Sequence, residues 1–381
     1  MATYNLDQTS FPLYSLQSIN DELFITCGGG GAAKTGVKNS INIYKLQREG
    51  SLFKASLIHE ESCGSRAPMN LCLNSNRNLV AVGMDHLCQI YSLKKDKEKI
   101  FMKEKIAVKT VEETNGDDGD YQTSVSFTLD GKHMITGSSS GSCKVFECPS
   151  FQLKFNIKKA HLNEIDDLDV HPNSKYFVSV SKDHSANLWK LEDGKKELEL
   201  PFSLAKKDED FYRFRNCRFS ENLDNKNVYL FTTHIPRKNS KLKSANCIVK
   251  WNTRKWVPEQ VIQVKDHSLS ALAVSSNGRY VAVGTADGSV LVYISWNMTH
   301  LKTILRVHDS FVTGLSFIAD NKILCEDMKQ DAALLSCSID NKCQVSLIPK
   351  RTEFPIYIIL VAMVLLLYAT FNCIAYFDIE F

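Results

Sequence analysis

One pattern recurs along the chain at a spacing of about 40 to 55 residues, and this repetition restricts the possible folds more than any other feature. The clearest copy occupies 160–191. It contains His161, an alternating apolar segment, a polar turn at 171–174, a second apolar segment, Asp183 and a final strand-like segment that includes Trp189. Four short strands joined by tight polar turns form one blade of a β-propeller.

The same pattern recurs in six other segments. Four of them are clear, one is weaker and one is strongly altered; they lie at 71–91, 125–146, 267–293, 308–347, 218–251 and 16–44. The pattern is that of the WD repeat, with Trp-Lys in place of Trp-Asp in the clearest copy. Seven copies suit a closed ring, so the sequence predicts an all-β fold, a seven-bladed WD-repeat β-propeller over residues 1–350.

Some repeats carry a histidine near their start and an aspartate in a later turn. We expect His161 to pair with Asp183, and His267 to pair with Asp287, within one blade. We interpret these histidine–aspartate pairs as structural rather than catalytic. The charged segment 94–120 breaks the pattern, and its composition predicts a solvated loop between the second and third blades.

The C-terminal end differs from the repeats. An uncharged segment begins at Ile356 and ends at Phe377. As a helix it would be about 33 Å long, enough to cross a hydrocarbon core of about 30 Å. Lys350 and Arg351 precede it, and basic residues favour the cytoplasmic side of a membrane. The sequence predicts a single transmembrane helix over 356–377, a cytosolic propeller over 1–350 and a short lumenal tail over 378–381.

Composition excludes some classes of function. The net charge of +3 is nearly neutral for 381 residues, unlike the strong basic excess of a dedicated nucleic-acid-binding protein. The 12 cysteines include no C-x-x-C pair and no zinc-like spacing with histidines. We therefore expect buried free thiols in a reducing compartment.

The first repeat contains an unusually long turn over 27–40, which we call the glycine loop. Four consecutive glycines, Gly28 to Gly31, are followed by Lys34 and Thr35. This nearly matches the phosphate-binding pattern G-x-x-x-x-G-K-[ST]. However, Ala33 replaces the second glycine, and a strand-like segment follows where a phosphate-binding loop requires a helix. Nucleotide hydrolysis is therefore not favoured.

The composition of the glycine loop suits a different ligand. Glycines permit positive φ angles and close backbone approach, so the loop can fold back and turn several carbonyls inward. Carbonyl oxygens, with the side-chain oxygens of Thr35 and Asn39, would suit a hard, weakly charged cation. The alternative is a flexible glycine linker between two strands.

Five stretches of the sequence, in this order, resemble one known family. They are Phe11-Pro12-Leu-Tyr14, the segment 27–39, Tyr212-Arg-Phe-Arg-Asn-Cys-Arg-Phe219, His234-Ile-Pro-Arg, and Ile348-Pro-Lys-Arg before the terminal segment. Their order and spacing are similar to those of the endoplasmic-reticulum exchange factors for the Sar GTPase, whose animal members are the prolactin regulatory element-binding proteins. The resemblance extends from Phe11 to the terminal segment, and the glycine loop is its most specific part.

The resemblance implies a function. Members of this family are anchored in the endoplasmic-reticulum membrane with the propeller in the cytosol. They are guanine-nucleotide exchange factors that activate Sar and so initiate COPII coat assembly for transport to the Golgi. They regulate a GTPase and catalyse no bond chemistry, so we expect no catalytic residues, no bound nucleotide and no small-molecule substrate.

The resemblance also implies site residues, because the glycine loop corresponds to the potassium-binding loop of the family. Residues in contact with the GTPase would be Gly31, Thr35, Gly36, Val37, Lys38 and Asn39. Potassium ligands would lie among Gly28, Gly29, Gly30, Gly31 and Asn39. We expect Val37 to make an apolar contact and Asn39 to bond or order the loop.

Two other functions remain open from the sequence. A membrane-anchored WD-repeat scaffold would have the same fold, since fold alone does not determine function. A transcription-related DNA-binding protein is disfavoured by the near-neutral charge and by the lack of a helix suited to the major groove.

Overall fold

The computed structural model describes residues 3–31, 36–50, 52–96, 99–112, 119–202, 212–220, 227–236, 245–318, 330–350 and 356–376. Within these ranges, 28 strands form seven four-stranded antiparallel sheets. The predicted all-β, seven-bladed WD-repeat β-propeller is confirmed. Thr35, Phe377 and the tail at 378–381 lie outside the described residues.

Six blades are formed by consecutive strands, in chain order from the inner strand to the outer one. Blades 1 to 3 comprise β2 (Leu13–Ser18), β3 (Leu23–Gly29), β4 (Asn39–Glu49), β5 (Leu52–Ser62); β6 (Pro68–Leu73), β7 (Leu79–Met84), β8 (Leu87–Asp96), β9 (Lys99–Lys109); and β10 (Gln122–Phe127), β11 (His133–Ser138), β12 (Cys143–Glu147), β13 (Gln152–Ile157). Blades 4 to 6 comprise β14 (Ile165–Val170), β15 (Tyr176–Ser181), β16 (Ala186–Lys190), β17 (Lys196–Glu199); β18 (Tyr212–Phe219), β19 (Tyr229–Pro236), β20 (Asn246–Asn252), β21 (Val257–Val264); and β22 (Leu269–Val274), β23 (Tyr280–Thr285), β24 (Val290–Ile294), β25 (Thr299–Ile304).

Blade 7 joins the two ends of the propeller. Its first three strands, counted outward from the centre of the ring, are β26 (Val312–Phe317), β27 (Gln330–Ser338) and β28 (Lys342–Pro349). Its outer strand is β1 (Thr3–Gln8). β1 pairs antiparallel with β28, so that Thr3 lies opposite Ser346 and Gln8 opposite Lys342. Backbone hydrogen bonds between the N-terminal and C-terminal strands therefore close the ring.

The hydrophobic core lies between neighbouring blades. Each first strand contacts the first strands of both adjacent blades, and together they surround a central channel with a cavity of about 380 Å³. Leu13 and Leu16 of blade 1 pack with Leu335 and Val345 of blade 7. Burying a leucine side chain contributes about 1.5–3 kcal/mol, so every blade depends on its neighbours.

Strand direction defines two ends of the ring. Each blade is an antiparallel meander. The turn between its first and second strands and the turn between its third and fourth strands therefore lie at one end. The turn between the second and third strands of each blade, and the connection to the next blade, lie at the other end. We call this second end the loop face; it includes the β3–β4 turn, the turn at 182–185 and the connection at 158–164.

The charged segment at 94–120 is only partly a loop, so that prediction was wrong for its first half. β8 continues to Asp96, and β9 covers Lys99–Lys109 as the outer strand of blade 2. Met102 and Val108 are buried against neighbouring blades, while Lys103 and Lys105 are exposed. An outer strand needs only some apolar residues, which explains why composition alone suggested a loop.

The predicted histidine–aspartate pairs are present. His161 Nδ1 lies 3.1 Å from Asp183 Oδ2, and His267 Nδ1 lies 3.2 Å from Asp287 Oδ1. Trp189 Nε1 donates to Ser179 Oγ, which also bonds His161 Nε2. Burial alone would raise the pKa of Asp183, but hydrogen bonds with His161 and Ser185 outweigh burial and hold that pKa well below its usual value.

The described cysteines form no disulfide, as the sequence predicted, and most of them are buried. Burial raises the pKa of Cys88 and of Cys143 to about 12. Because the thiolate is the reactive form, these thiols are poor nucleophiles near neutral pH.

After the propeller, helix α1 covers Ile356–Tyr376. In the part of the chain that the structure describes, no helix is both long enough and apolar enough to count as a candidate membrane span.

Removing the Asp183 carboxylate should destabilise the propeller. The Asp183→Ala variant leaves the fully buried His161 side chain without its charged partner, and we expect the free energy of unfolding to fall by about 2 kcal/mol. Urea denaturation at neutral pH measures this loss. Asp193→Ala, on an exposed turn of the same blade, serves as the control and should change nothing measurable.

The same variant has a defined pH dependence. Since the folded pKa of Asp183 is lowered, the unfolded chain binds more protons than the folded chain as pH falls below about 4. The stability difference between wild type and Asp183→Ala should therefore shrink on acidification. A constant difference from neutral pH to pH 3 would contradict the ion-pair assignment.

Candidate functional site: the glycine loop of blade 1

The glycine loop connects β3 to β4 on the loop face, and its base is part of the sheet. β3 continues through Gly29 and β4 begins at Asn39, with Gly28 opposite Ser40 and Gly29 opposite Asn39. The turn is therefore shorter than the predicted segment 27–40. Five predicted site residues that the structure describes lie beyond the paired ends: Gly30, Gly31, Gly36, Val37 and Lys38.

The Asn39 side chain holds this base together by hydrogen bonds, which we call the Asn39 brace. It is buried, with 4% of its surface exposed. Its Oδ1 accepts from the Gly31 backbone N–H at 2.9 Å, and its Nδ2 donates to the Gly31 carbonyl at 3.0 Å. Nδ2 also donates to the Gly64 carbonyl at 2.9 Å, beyond β5. One amide thus joins the two sides of the glycine loop to the next connection of the chain.

Two glycines are required by this geometry. A Cβ atom at Gly29 would lie 2.1 Å from Asn39 Oδ1 and 2.6 Å from Asn39 Cα, so any side chain there would displace the brace. Gly31 has a φ of +76°, a conformation that residues with a Cβ rarely adopt. The run of glycines therefore permits a tightly closed base, in contrast to a flexible linker.

The neighbouring connection between β1 and β2 supports the other side of the loop. The Gly29 N–H donates to the Pro12 carbonyl at 3.0 Å, and Tyr14 Oη donates to the Gly29 carbonyl at 2.9 Å. Sequence reasoning did not assign Tyr14, Pro12 or Gly64 to the site. The only signal for the first two was the Phe11 to Tyr14 stretch of the family resemblance.

The remaining predicted residues occupy different environments. Gly30 and Gly31 are half-buried, and Gly36 is exposed with a φ of +78°. Val37 is half-buried and packs against the core cluster that includes Phe11 and Leu13. Lys38 is exposed, with its Nζ 3.8 Å from Glu60 Oε1. The predicted role of Thr35 falls outside the described residues.

The oxygens at the base of the loop fit a monovalent cation in chemical type. The described candidates are the Gly29 carbonyl, the Gly31 carbonyl and Asn39 Oδ1, which are neutral oxygens that each accept one hydrogen bond. Each such oxygen has a second lone pair. Within the described ranges, no cluster of three or more His, Cys, Asp or Glu side chains could hold a metal ion.

Loss of the Asn39 amide should loosen the loop without unfolding the ring. Asn39→Ala removes three hydrogen bonds, two to the carbonyls of Gly31 and Gly64 and one from the Gly31 N–H, so we expect the free energy of unfolding to fall by about 1–3 kcal/mol. Hydrogen–deuterium exchange should accelerate at Gly31, while the circular dichroism spectrum stays that of the wild type. Asn297→Ala, in an exposed turn, is the control. Unchanged protection at Gly31 would contradict the brace.

A known protein family matches part of the repeats. The family described as "WD domain, G-beta repeat" matches residues 109–147, 152–190 and 258–293. The second matched segment starts at β13 of blade 3 and ends at β16 of blade 4. This sequence repeat therefore contains the outer strand of one blade and three strands of the next, an offset that matches the closure of the ring by β1.

Similar proteins cover nearly the whole chain. The rat protein named "Guanine nucleotide-exchange factor SEC12" is 29% identical over 96% of this chain and 95% of its own length. "SEC12-like protein 2" of Arabidopsis thaliana is 23% identical over 84% of this chain and 75% of its own length. "Guanine nucleotide-exchange factor SEC12" of Candida glabrata is 24% identical over 83% and 68%. The resemblance predicted from the sequence is thus confirmed: this chain is similar along almost its whole length to the SEC12 guanine nucleotide-exchange factors.

Proposed function

We propose that this chain is a guanine-nucleotide exchange factor for a small GTPase of the Sar type, and that the glycine loop contacts the GTPase. Full-length similarity to proteins named as exchange factors carries the first part. The braced loop, on one end of an otherwise regular ring, supports the second. Exchange at the endoplasmic reticulum would initiate COPII coat assembly.

Exchange requires differential binding and no bond chemistry. An exchange factor binds the nucleotide-free GTPase more tightly than the loaded form, so nucleotide and exchange factor weaken each other's binding by linkage. A loop that is already ordered loses little conformational entropy on binding. The Asn39 and Tyr14 hydrogen bonds hold the base of the loop at Gly31 and Gly29.

The predicted site residues take two roles in this proposal. Gly31, Thr35, Gly36, Val37 and Lys38 contact the GTPase, and exposed Lys38 and Gly36 are accessible for this. Asn39 is a positioning residue, because it is buried and bonded to the loop. A generic scaffold has no need of such a brace. No observation on the described residues favours DNA binding.

A fluorescence nucleotide-exchange assay with Sar tests the proposal. Wild-type chain should accelerate release of labelled GDP, and Asn39→Ala should reduce the rate at least tenfold, since the loop that contacts the GTPase is loosened. Asn297→Ala should behave like the wild type. Absence of acceleration by the wild-type chain would refute the exchange function, and a wild-type rate for Asn39→Ala would refute the loop assignment alone.

We also propose that the loop binds a potassium ion. The carbonyls of Gly28 to Gly31 and the Asn39 Oδ1 would hold it, because neutral oxygens are suitable ligands for a weakly charged cation. The ion would supply positive charge that draws these carbonyl dipoles together. The Asn39 and Tyr14 bonds order the loop independently of the ion.

Replacing potassium with a large organic cation should slow nucleotide exchange and speed hydrogen–deuterium exchange at Gly31. A large cation cannot approach several carbonyls at once, so the loop would lose that support. The Asn297→Ala variant should show the same dependence as the wild type, whereas Asn39→Ala should show a weaker one. Equal rates and equal protection in both salts would contradict a potassium site.

We further propose that α1 anchors the chain in the endoplasmic-reticulum membrane, with the propeller in the cytosol. The uncharged segment at 356–377 and the exposed apolar side chains of Leu360, Leu366 and Phe371 support this. Shortening the chain to 1–350 should abolish recovery of the protein with vesicles after alkaline extraction, while exchange in solution continues. Full-length chain that is released by alkaline extraction would contradict the anchor.

A further inference from the structure

The Tyr212 to Phe219 stretch has no role in the glycine loop, and it places two arginines on one carboxylate. Arg213 Nη2 lies 3.0 Å from Asp166 Oδ2, and Arg215 Nη1 contacts Asp166 Oδ1. The Asp166 side chain is only 1% exposed, whereas Arg213 and Arg215 are 23% and 35% exposed. β18 thereby holds two guanidinium groups against β14 of the preceding blade.

Packing alone does not explain the second arginine. The Arg279–Asp331 link between blades 6 and 7 is a single pair of 3.1 Å. One guanidinium is enough to compensate a buried carboxylate. At Asp166 a second guanidinium is present, and Arg213 Nε is buried without a hydrogen-bond partner among the described residues. The Arg215 side chain, which is 35% exposed and contacts Asp166 through Nη1, has further guanidinium N–H donors.

The charged groups that the structure describes in this cluster carry one net positive charge. Lys182 Nζ lies 2.5 Å from Glu164 Oε2, which neutralises that pair. With Asp166 facing both Arg213 and Arg215, these five charged groups include three positive and two negative ones. A net positive charge together with the partly exposed Arg215 guanidinium suits a carboxylate, because the planar fork of arginine matches its two oxygens.

The cluster lies near the loop-face end of blades 4 and 5. Asp166 and Arg213 each follow the first residue of their inner strands, and inner strands start at the loop face. Tyr14 holds the same position in β2, and its hydroxyl bonds the Gly29 carbonyl of the glycine loop. A typical protein interface covers about 800 Å² per partner, so a partner on the loop face can contact more than one blade.

We propose that Arg215, supported by Arg213, binds an acidic side chain of the GTPase when the GTPase sits on the glycine loop. This inference rests on the proposed exchange function and extends its contact surface over the loop face to blades 4 and 5. The arginines bind the partner, while the glycine loop promotes nucleotide release. Loss of Arg215 should therefore weaken binding more than it slows the step within the complex.

Full-length Arg215→Gln tests this, because Arg213 still pairs with Asp166 in that variant. We expect the chain concentration for half-maximal exchange to rise about tenfold with the maximal rate nearly unchanged. Raising choline chloride at fixed potassium should slow the variant less than the wild type, since an ion pair is screened by salt. Arg215→Lys should recover part of the loss. Arg279→Gln, an arginine–aspartate pair at the opposite end of the ring, is the matched control.

The outcomes separate the two proposals. If Arg215→Gln shows wild-type half-saturation and wild-type salt dependence, while wild-type chain exchanges nucleotide, the arginine contact is wrong and the exchange function stands. If no form accelerates nucleotide release, the exchange function fails and this inference fails with it. A lowered melting temperature for Arg215→Gln together with a lowered maximal rate would assign Arg215 to folding and overturn the binding role.

Discussion

Closure of the ring by β1 and β28 is the interaction on which the rest of the structure depends. A single four-stranded blade cannot bury either of its faces, so each blade is stable only between two neighbours. The outer strand of blade 7 comes from the start of the chain, and its pairing with β28 gives blades 1 and 7 their partners. The Leu13 and Leu335 cluster at this junction is as buried as the other inter-blade clusters.

The closed ring gives the glycine loop a rigid support. The loop is held by three parts of the chain that the ring brings together: the β1–β2 connection through Pro12, β4 through Asn39, and the connection after β5 through Gly64. The two arginines of blade 5 that pair with Asp166 lie near the same end of the ring. In the proposed function, a single partner therefore meets two features that the ring holds at one end.

Much of this fold could be predicted from the sequence because WD repeats combine short apolar segments with tight polar turns at regular spacing. The position of β9 could not, since an outer strand with Lys103 and Lys105 exposed has the composition of a loop. The glycine loop was recognised from its glycines, yet the role of Tyr14 depends on a contact across two strands that spacing does not encode. The pairing of Arg213 and Arg215 with Asp166 likewise depends on which blades are neighbours.

The pairing of β1 with β28 also sets the order of events during synthesis. Gln8 leaves the ribosome early, but its partner Lys342 is made 334 residues later (342 minus 8). At roughly 5–20 residues per second, β1 waits about 17 to 67 seconds for that partner. During this interval β1 is an unpaired edge that can join a wrong strand, of this chain or of another. Ring closure therefore leaves β1 as an open edge for most of the time that the propeller takes to be synthesised.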